Sequence, residues 1–142
     1  DVYKRQRPGR VAFALQPACE NVVRFFGDDI HPGDVILHND VFSGGNQNND
    51  VAVFKPIFHG KKLVAWAACK GHQADIGGAV RGGYNPEARE VWQEALRIPA
   101  VKVVERGTLR RDVWNLIVSN IRLKIVEEDI RAAPSGSAAT RR

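Results

Sequence analysis

The stretch "VAVFKPIFHGKKLVAWAACKGHQADIGG", residues 51–78, decides how this chain folds. It contains two apolar runs rich in β-formers, 51–58 and 63–70, which predict two strands. The "HGKK" between them predicts a hairpin turn with Gly60 in its left-handed position. Pro56 has no backbone N–H to donate, which predicts that the first strand lies at an edge of the sheet or carries a bulge.

The hairpin predicts which strand ends lie side by side. Because its strands run antiparallel, Asp50 at the start of the first should lie beside Gly71 and His72 at the end of the second. The loop 39–50, "NDVFSGGNQNND", leads to the same place from a short apolar strand, "DVILH". We therefore expect five ionisable groups to gather among glycine-rich loops at one end of the sheet: His38, Asp40, Asp50, His72 and Asp75. Functional sites are commonly built on such loops.

The rest of the chain predicts helices around this sheet. "PACENVVRFFG" predicts a helix ending at Gly27, and "PEAREVWQEAL", residues 86–96, predicts another that is capped by Asn85. "IPAVKVV" is extended, and residues 108–133 predict one or two helices. The expected fold is α/β of an α+β-like kind: a small mixed sheet with a β-hairpin, glycine-rich loops at one sheet end and mainly C-terminal helices, part of a larger domain.

Composition and charge exclude several classes of protein. Of 142 residues, 44% are hydrophobic and 26% charged, which is typical of a globular domain. The net charge is +5, but residues 1–10 carry four basic side chains and one acidic one, and residues 131–142 carry three basic and none acidic. The segment 11–130 therefore has a net charge of −1, which argues against a nucleic-acid-binding face.

The two ends differ in composition from the middle. Residues 1–10 have no periodic apolar pattern, so we interpret them as a non-native or disordered head, and residues 134–142 as a flexible tail. The body, 11–133, is expected to be a fragment of a catalytic domain. The chain has neither an apolar run of about 20 residues nor a signal-peptide pattern. Its two cysteines define no disulfide framework, and together these features favour a cytoplasmic protein.

His72 and Asp75 are the main candidates for chemistry. They stand three residues apart in a loop that ends with Gly77 and Gly78, where protons or a metal could be handled. Asp40 and Asp50 either cap the backbone of a turn or take part in the site. No GxGxxG or Gly-Lys-Ser/Thr pattern is present, so no nucleotide is predicted on this chain.

Other residues have two interpretations each. Arg97 is either a surface arginine or an anchor for a carboxylate or a phosphorylated intermediate. His38 ends an apolar run and is interpreted as a satisfied, half-buried histidine. The three tryptophans are Trp66, Trp92 and Trp114. They either belong to the core or dock a partner protein. If they dock a partner, the chain would be a non-catalytic assembly module.

Four motifs, in order, resemble those of the hydantoinase B family: "GDVILHNDVFSGG", "GHQADIGG", "EALRIPAVKVVERG" and "LRRDVWNLIVSNIR". This family includes the C-terminal half of 5-oxoprolinase and a large subunit of acetone and acetophenone carboxylases. The resemblance runs from about Pro17 to Ile130, and family members are several times longer.

The resemblance implies an enzyme subunit that hydrolyses cyclic amides such as hydantoins and 5-oxoproline, or alternatively one that carboxylates ketones. ATP would be handled by a partner subunit of hydantoinase A type. The resemblance also implies a divalent metal (Mn, Zn or Fe) held by His72 and Asp75. Asp40, Asp50 and Asp75 would be catalytic, and a small-molecule substrate would lie against four glycines and Arg97: Gly44, Gly45, Gly77 and Gly78.

This chain departs from the family pattern at possible ligands. Gln73 stands where many members have a second histidine, and Asn46 and Gln47 stand where many have Thr-His. A histidine-bearing segment expected upstream of Pro17 is not recognisable. These departures predict weak metal binding and no activity for the chain by itself.

Overall fold

The computed structural model describes residues 15–136, with side chains as far as residue 133. It contains five strands and three helices, which confirms the predicted α/β class. The strands are β1 (Val35–His38), β2 (Asp50–His59), β3 (Lys62–His72), β4 (Val101–Glu105) and β5 (Thr108–Leu109). The helices are α1 (Leu15–Phe26), α2 (Arg111–Val118) and α3 (Lys124–Gly136).

The hairpin of β2 and β3 forms as predicted. Its strands pair from Asp50 opposite His72 to His59 opposite Lys62, and Gly60 has a φ of 60°. The edge position predicted from Pro56 is wrong, because the strand order is β3-β2-β1-β4-β5. The bulge alternative holds, since the register shifts directly after Ile57. Within β2, β1 pairs only with residues 52–54, so Pro56 lies beyond the end of β1.

Every strand pair in the described sheet is antiparallel, so the sheet is not mixed as expected. A parallel pair needs a long crossover connection, usually a helix, between its strands. Here β1 is followed by a loop, β2 by a tight turn, and β4 by a turn at Arg106 and Gly107. β1 lies in the middle of the sheet and is buried along its whole length.

Two cores lie on opposite faces of the sheet. Successive side chains of a strand point to opposite faces, so β1 and β2 both contribute to the two cores. Leu37 and Val53 face a core with residues of α2 and α3. Ile36 and Phe54 face a smaller core with residues of α1. Both helices after the sheet therefore hold one face, which keeps the loops at the end of the hairpin in place.

The helix predicted for residues 86–96 is wrong: only one 3-10 turn, Val91–Gln93, forms there. The backbone groups that a helix would use are bonded elsewhere. The Gln93 carbonyl accepts from the Ala79 N–H at 2.8 Å, and the Leu96 N–H donates to the Ile76 carbonyl at 2.8 Å. The segment therefore runs alongside the glycine-rich loop and supports it.

Residues 108–133 form two helices, which was one of the two predicted possibilities. Helix α3 continues to Gly136, three residues into the predicted tail. The remaining predictions for the head and tail concern residues outside those described. Within residues 15–136, no helix combines the length and apolar character needed to cross a membrane.

Candidate functional site

Asp50, Lys70 and His72 meet at the open end of the hairpin. His72 Nδ1 lies 2.9 Å from Asp50 Oδ1, which confirms the expectation drawn from the antiparallel pairing. Lys70 precedes His72 by two residues and therefore lies on the same face of β3. Its Nζ is 3.4 Å from Asp50 Oδ2, and both side chains are 3% exposed.

Gln47 completes this group, which we call the His72 cluster: Gln47, Asp50, Lys70 and His72. Gln47 Nε2 lies 3.0 Å from Asp50 Oδ1 and 2.9 Å from His72 Nδ1. The His72 side chain is 59% exposed, so a solvent-facing imidazole rests on a buried carboxylate. An ionised carboxylate can only accept hydrogen bonds, so it favours the tautomer with the proton on Nδ1. Nε2 is then the proton acceptor of the ring.

Asp50 is ionised at neutral pH. Burial by itself raises the pKa of this carboxyl, but hydrogen bonds from Gln47, Asn46 and His72 and the charge of Lys70 outweigh it. The pKa of Asp50 is therefore lower than its usual value. A charged Asp50 can hold the imidazole in place and stabilise it when it takes a proton.

Asp40 is bound by Arg97 and by its own turn. Arg97 Nε lies 2.7 Å from Asp40 Oδ1, and Arg97 Nη2 lies 3.3 Å from Oδ2. Ser43 Oγ donates to Oδ2 at 2.8 Å, and the Phe42 N–H donates to Oδ1 at 3.1 Å. Asp40 therefore caps the turn Val41–Ser43, as one of its two interpretations predicted, and both oxygens are occupied.

The pKa of Asp40 is also lowered. Burial raises it, and the hydrogen bonds from Ser43, Arg97 and the Phe42 N–H together outweigh that effect. Asp40 is thus a charged counter-ion of Arg97 at neutral pH.

Asp75 is fully buried and builds the glycine loop. Both of its oxygens lie 3.1 Å from Arg122 Nη1, and the Gly77 N–H donates to Oδ1 at 2.9 Å. Arg122 also donates to the Gly78 carbonyl. No hydrogen bond joins Asp75 to His72 in the described part of the chain. The structure therefore brings His72 together with Asp50 instead of the predicted Asp75.

Each of the four buried aspartates among the described residues has a basic partner: Lys70 for Asp50, Arg97 for Asp40, Arg122 for Asp75 and Lys102 for Asp34. Sequence reasoning missed Gln47, Lys70 and Arg122. Lys70 could have been found, because residues two apart on a strand share a face. Arg122 lies 47 residues from Asp75 and no local pattern indicates it.

His38 is fully buried, not half-buried as interpreted from the sequence. Its Nε2 lies 3.0 Å from Ser43 Oγ. Burial lowers the pKa of this imidazole, and the nearby Lys70 charge lowers it further, against the opposing effect of Asp40. His38 is therefore a neutral side chain that contacts the Asp40 turn through Ser43.

The two predicted glycine pairs have different surroundings. A Cβ on Gly44 would lie 2.7 Å from the Pro17 backbone, and a Cβ on Gly45 would lie 2.6 Å from the Asn39 carbonyl. Gly44 therefore allows the loop to pack on α1, and Gly45 allows it to approach the backbone of Asn39 and Asp40. A contact of these two glycines with a substrate stays a prediction. Gly77 and Gly78 both have a φ of 90° and line a cavity.

Two cavities lie on either side of the segment after the 3-10 turn. The first, which we call the Trp92 cavity, has a volume of about 410 Å³ and is lined by Gly77, Gly78, Trp92, Leu96, Arg97 and Pro99. The second has a volume of about 250 Å³ and is lined by His72 together with polar residues that include Asn48, Asn85 and Glu94. Gly77, Gly78 and Arg97, predicted to contact a substrate, thus share one cavity.

The residues that could hold a metal differ from the predicted pair. Among residues 15–136, no three His, Cys, Asp or Glu side chains lie close enough together to hold an ion. Asp75 does not fit, because Arg122 already neutralises it. His72 and Asp50 are the better candidates, because Nδ1 and Oδ1 lie 2.9 Å apart. Gln47 lies beside both atoms, but it presents its amide nitrogen, which donates hydrogen bonds and does not bind a metal.

This geometry predicts that Gln47 limits metal affinity. With one imidazole and one carboxylate, the chain should bind divalent ions weakly, at about 10⁻⁴–10⁻³ M. Gln47→His adds a second imidazole beside Asp50 and His72, and should tighten binding of Mn²⁺ or Zn²⁺ at least about tenfold. Calorimetric titration measures both constants.

The matched control is Gln73→His, at the other position where related sequences carry histidine. Gln73 contacts the Gly71 carbonyl at 3.4 Å and has no described hydrogen bond to Asp50 or His72. This variant should keep the original affinity. Equal tightening by both variants would contradict the assignment of Gln47.

The lowered pKa values of Asp40 and Asp50 predict how stability depends on pH. Such a carboxyl stabilises the fold fully above its unfolded pKa of about 3.9, and this contribution is lost as the pH falls through the lower, folded value. We expect the free energy of unfolding to fall steeply below about pH 4. Urea denaturation across this range measures it, and Asp40→Asn should have a shallower slope. An unchanged slope would show that Asp40 contributes nothing.

Comparison with known proteins identifies the family of this chain. The family model described as hydantoinase B/oxoprolinase matches residues 7–142. The caprolactamase subunit beta of Pseudomonas jessenii is 45% identical over 126 residues, which cover 89% of this chain. The crystal structure of the ATP-dependent caprolactamase from that organism superposes with a TM-score of 0.82, at 46% identity over 88% of the chain.

A more distant structure has the same fold. The nucleotide-free acetone carboxylase superposes with a TM-score of 0.74 over 89% of this chain, at 19% identity. This chain spans 22% of the length of the caprolactamase subunit and 18% of that of the acetone carboxylase chain. The match of nearly the whole chain to one family model, together with a 45% identical relative, shows that this chain belongs to the hydantoinase B/oxoprolinase family.

Proposed function

We propose that this chain is part of a subunit that hydrolyses cyclic amides, working with a hydantoinase A-type subunit that handles ATP. The observation that carries the proposal is the contact between the exposed His72 and the buried, ionised Asp50. Ring opening of an amide by water needs a group that removes a proton from that water. The His72 cluster provides such a group beside a cavity.

The mechanism assigns a role to each member of the cluster. His72 Nε2 accepts a proton from water as the water attacks the amide carbonyl, and the proton passes to the ring nitrogen as the C–N bond breaks. Asp50 holds Nδ1 and stabilises the resulting imidazolium, while Gln47 and Lys70 hold the carboxylate in place. A divalent ion (Mn, Zn or Fe) would be held by His72 and Asp50, in place of the hydrogen bond between them, and would polarise the carbonyl. The Gly77 N–H is bonded to Asp75, so it is not available to an oxyanion.

The sequence supports a division of labour with a second subunit. It contains neither a GxGxxG nor a Gly-Lys-Ser/Thr pattern. These patterns are typical of two common phosphate-binding loops. The similar enzyme from P. jessenii is named as ATP-dependent, and its matching chain is named as one subunit. ATP use therefore fits a partner of hydantoinase A type.

The alternative of a non-catalytic assembly module has less support. Trp114 is 6% exposed and packs in the main core. Trp66 packs edge-to-face against Phe54, with their ring centroids 6.4 Å apart. Trp92 is 60% exposed and lines the Trp92 cavity. Two of the three tryptophans proposed to dock a partner are therefore used within the fold. Ketone carboxylation has weaker support, because the acetophenone carboxylase delta subunit of Aromatoleum aromaticum is 33% identical over 98 residues and the caprolactamase subunit is 45% identical over 126.

The test is an assay of the intact subunit together with its partner. With ATP present, the complex should open a lactam, a hydantoin or 5-oxoproline, and the open-chain amino acid is measured by mass spectrometry. Without ATP the rate should fall to background. Acetone carboxylation without any ring opening would reject the proposal in favour of the carboxylase alternative.

A further inference from the structure

The two edges of the described sheet differ in how they are protected. β5, at one edge, is two residues long and is flanked by Arg106 and Arg110. β3, at the other edge, is 11 residues long. Short edge strands and charged side chains keep an edge from pairing with another segment. The run 63–69 of β3, "LVAWAAC", contains no charged residue and no proline, so β3 has neither form of protection.

The register of the hairpin shows which residues of β3 bond to β2. In an antiparallel pair, opposite residues alternate between hydrogen-bonded and non-hydrogen-bonded pairs. The Gln73 N–H donates to the Asn49 carbonyl at 2.8 Å, and this pair continues the register that places Asp50 opposite His72. Every second residue back along β3 therefore also bonds to β2. We call these residues the inward set: Ala67, Cys69 and Gly71.

The residues between them direct their backbone groups to the free edge, and we call them the outward set: Trp66, Ala68 and Lys70. Pro56 agrees with this assignment, because it lies opposite Trp66 and has no N–H to donate to β3. Within residues 15–136, the backbone of the outward set bonds no other segment. The edge therefore presents a row of N–H and C=O groups that a further strand could pair with.

The side chains along this edge are exposed and apolar on both faces of the sheet. Val64 is 53% exposed on one face, and Ala65 and Cys69 are exposed on the other. Lys70 already pairs with Asp50, and both side chains are 3% exposed, so covering the edge would leave neither charge without a partner. A continuous apolar run of this kind is typical of a strand that is covered on both faces inside a sheet.

The lengths of related proteins indicate where a covering strand would come from. This chain spans 22% of the caprolactamase subunit that it resembles, so most of a subunit of that size lies outside the chain. A strand beside β3 would need apolar side chains on both faces to match it. Such a strand is typical of the interior of the same domain, where its own apolar surface is always buried.

We propose that the free edge of β3 pairs with an apolar strand from the part of the subunit outside these 142 residues, which makes β3 an interior strand. Residues opposite each other on paired strands have Cβ atoms about 5 Å apart. The added strand would therefore place a side chain beside Lys70 or His72 and form a wall of the His72 cluster. This inference rests on the proposal that the chain is part of a subunit, and not on the reaction which that subunit catalyses.

Amide hydrogen exchange resolved to single residues by mass spectrometry tests the pairing. In the 142-residue chain, the outward set should exchange at least about tenfold faster than the inward set, because its N–H groups have no partner. In the intact subunit, purified without its partner subunit, the outward set should exchange as slowly as the inward set.

Two proline variants provide a second measurement. Ala67→Pro removes an inward N–H, and Ala68→Pro removes an outward one. In the intact subunit both changes should lower the urea midpoint of unfolding, because each removes a hydrogen bond between strands. In the 142-residue chain only Ala67→Pro should lower it clearly. Exchange of the unmodified subunit decides the matter if the variants do not fold.

Four outcomes would overturn the inference. The first is fast exchange of the outward set in the intact subunit, and the second is an Ala68→Pro subunit with an unchanged midpoint. The third is slow exchange of the outward set in the 142-residue chain: protection lost on dilution would assign the edge to a second copy, and protection kept on dilution to the chain's own remaining residues.

The fourth is protection that appears only when the partner subunit is added, which would assign the edge to that partner. None of these measurements depends on catalysis. The proposed function fails separately, when the intact complex with ATP opens no cyclic amide.

Discussion

Replacing His72 by glutamine should lower the rate of ATP-dependent ring opening by about 10²–10⁴-fold, the usual contribution of a general base. Glutamine is similar in size and can still donate to Asp50, so the contact that holds the cluster together is kept. It cannot accept a proton at neutral pH, so the chemical step is lost. The loss should appear in kcat measured with the intact subunit and its partner, and the free energy of unfolding should change little.

His59→Gln is the matched control. His59 is also an exposed histidine on the same hairpin, but it lies at the other end, opposite Lys62. This change should leave kcat unaltered. A complex that keeps full activity with His72→Gln would show that His72 is not the base and would favour the assembly-module interpretation. Asp75 is a poorer position for such a test, because it is buried and its loss would disturb the glycine loop.

Replacing Arg122 by methionine should destabilise the fold by about 3 kcal/mol or more, because it leaves a charged side chain buried without its partner. Asp75 is 0% exposed, and Arg122 is its ion-pair partner. The same arginine bonds the Gly78 carbonyl, so the loop that borders the Trp92 cavity should loosen as well. Urea denaturation measures the first effect, and amide hydrogen exchange of residues 75–80 measures the second.

Arg110→Met is the control for this change. Arg110 and Arg122 have equally exposed side chains, at 42%, and both pair with an aspartate. They differ in the partner, since Asp112 is 68% exposed and Asp75 is fully buried. Surface ion pairs contribute little to the free energy of unfolding, so Arg110→Met should barely change it. Similar effects of both changes would show that burial of Asp75 is not what makes its pair important.

The hairpin shows what local pattern can predict. Two apolar runs joined by a glycine turn have one obvious pairing, and that pairing predicts the observed position of Asp50 opposite His72. The edge position predicted from Pro56 failed because β1 is short. Of β2, it pairs with residues 52–54 only. Pro56 therefore has no partner in β1, and a proline is tolerated there although β2 is a central strand.

The segment 86–96 shows where local pattern fails. Its cap and composition favour a helix, but its backbone bonds the glycine loop at Ala79 and Ile76. A Cβ on Gly78 would overlap the Glu94 carbonyl, so the two segments are in close contact. Long-range backbone hydrogen bonds outweigh helix propensity, which amounts to less than about 1 kcal/mol per residue.

The sequence by itself determined the α/β class, the hairpin with its register, the meeting of Asp50 and His72, and the resemblance to one family. All of these depend on residues close in sequence or on motifs read in order. The tertiary structure alone decided which basic side chain pairs with each aspartate, and that Asp50 is the one that contacts His72. Asp40 and Asp75 are neutralised by Arg97 and Arg122, which lie 57 and 47 residues away, and only folding brings such charges together. A buried carboxylate needs a basic partner, and that partner can come from any part of the chain. No local sequence pattern therefore reveals which basic residue it is.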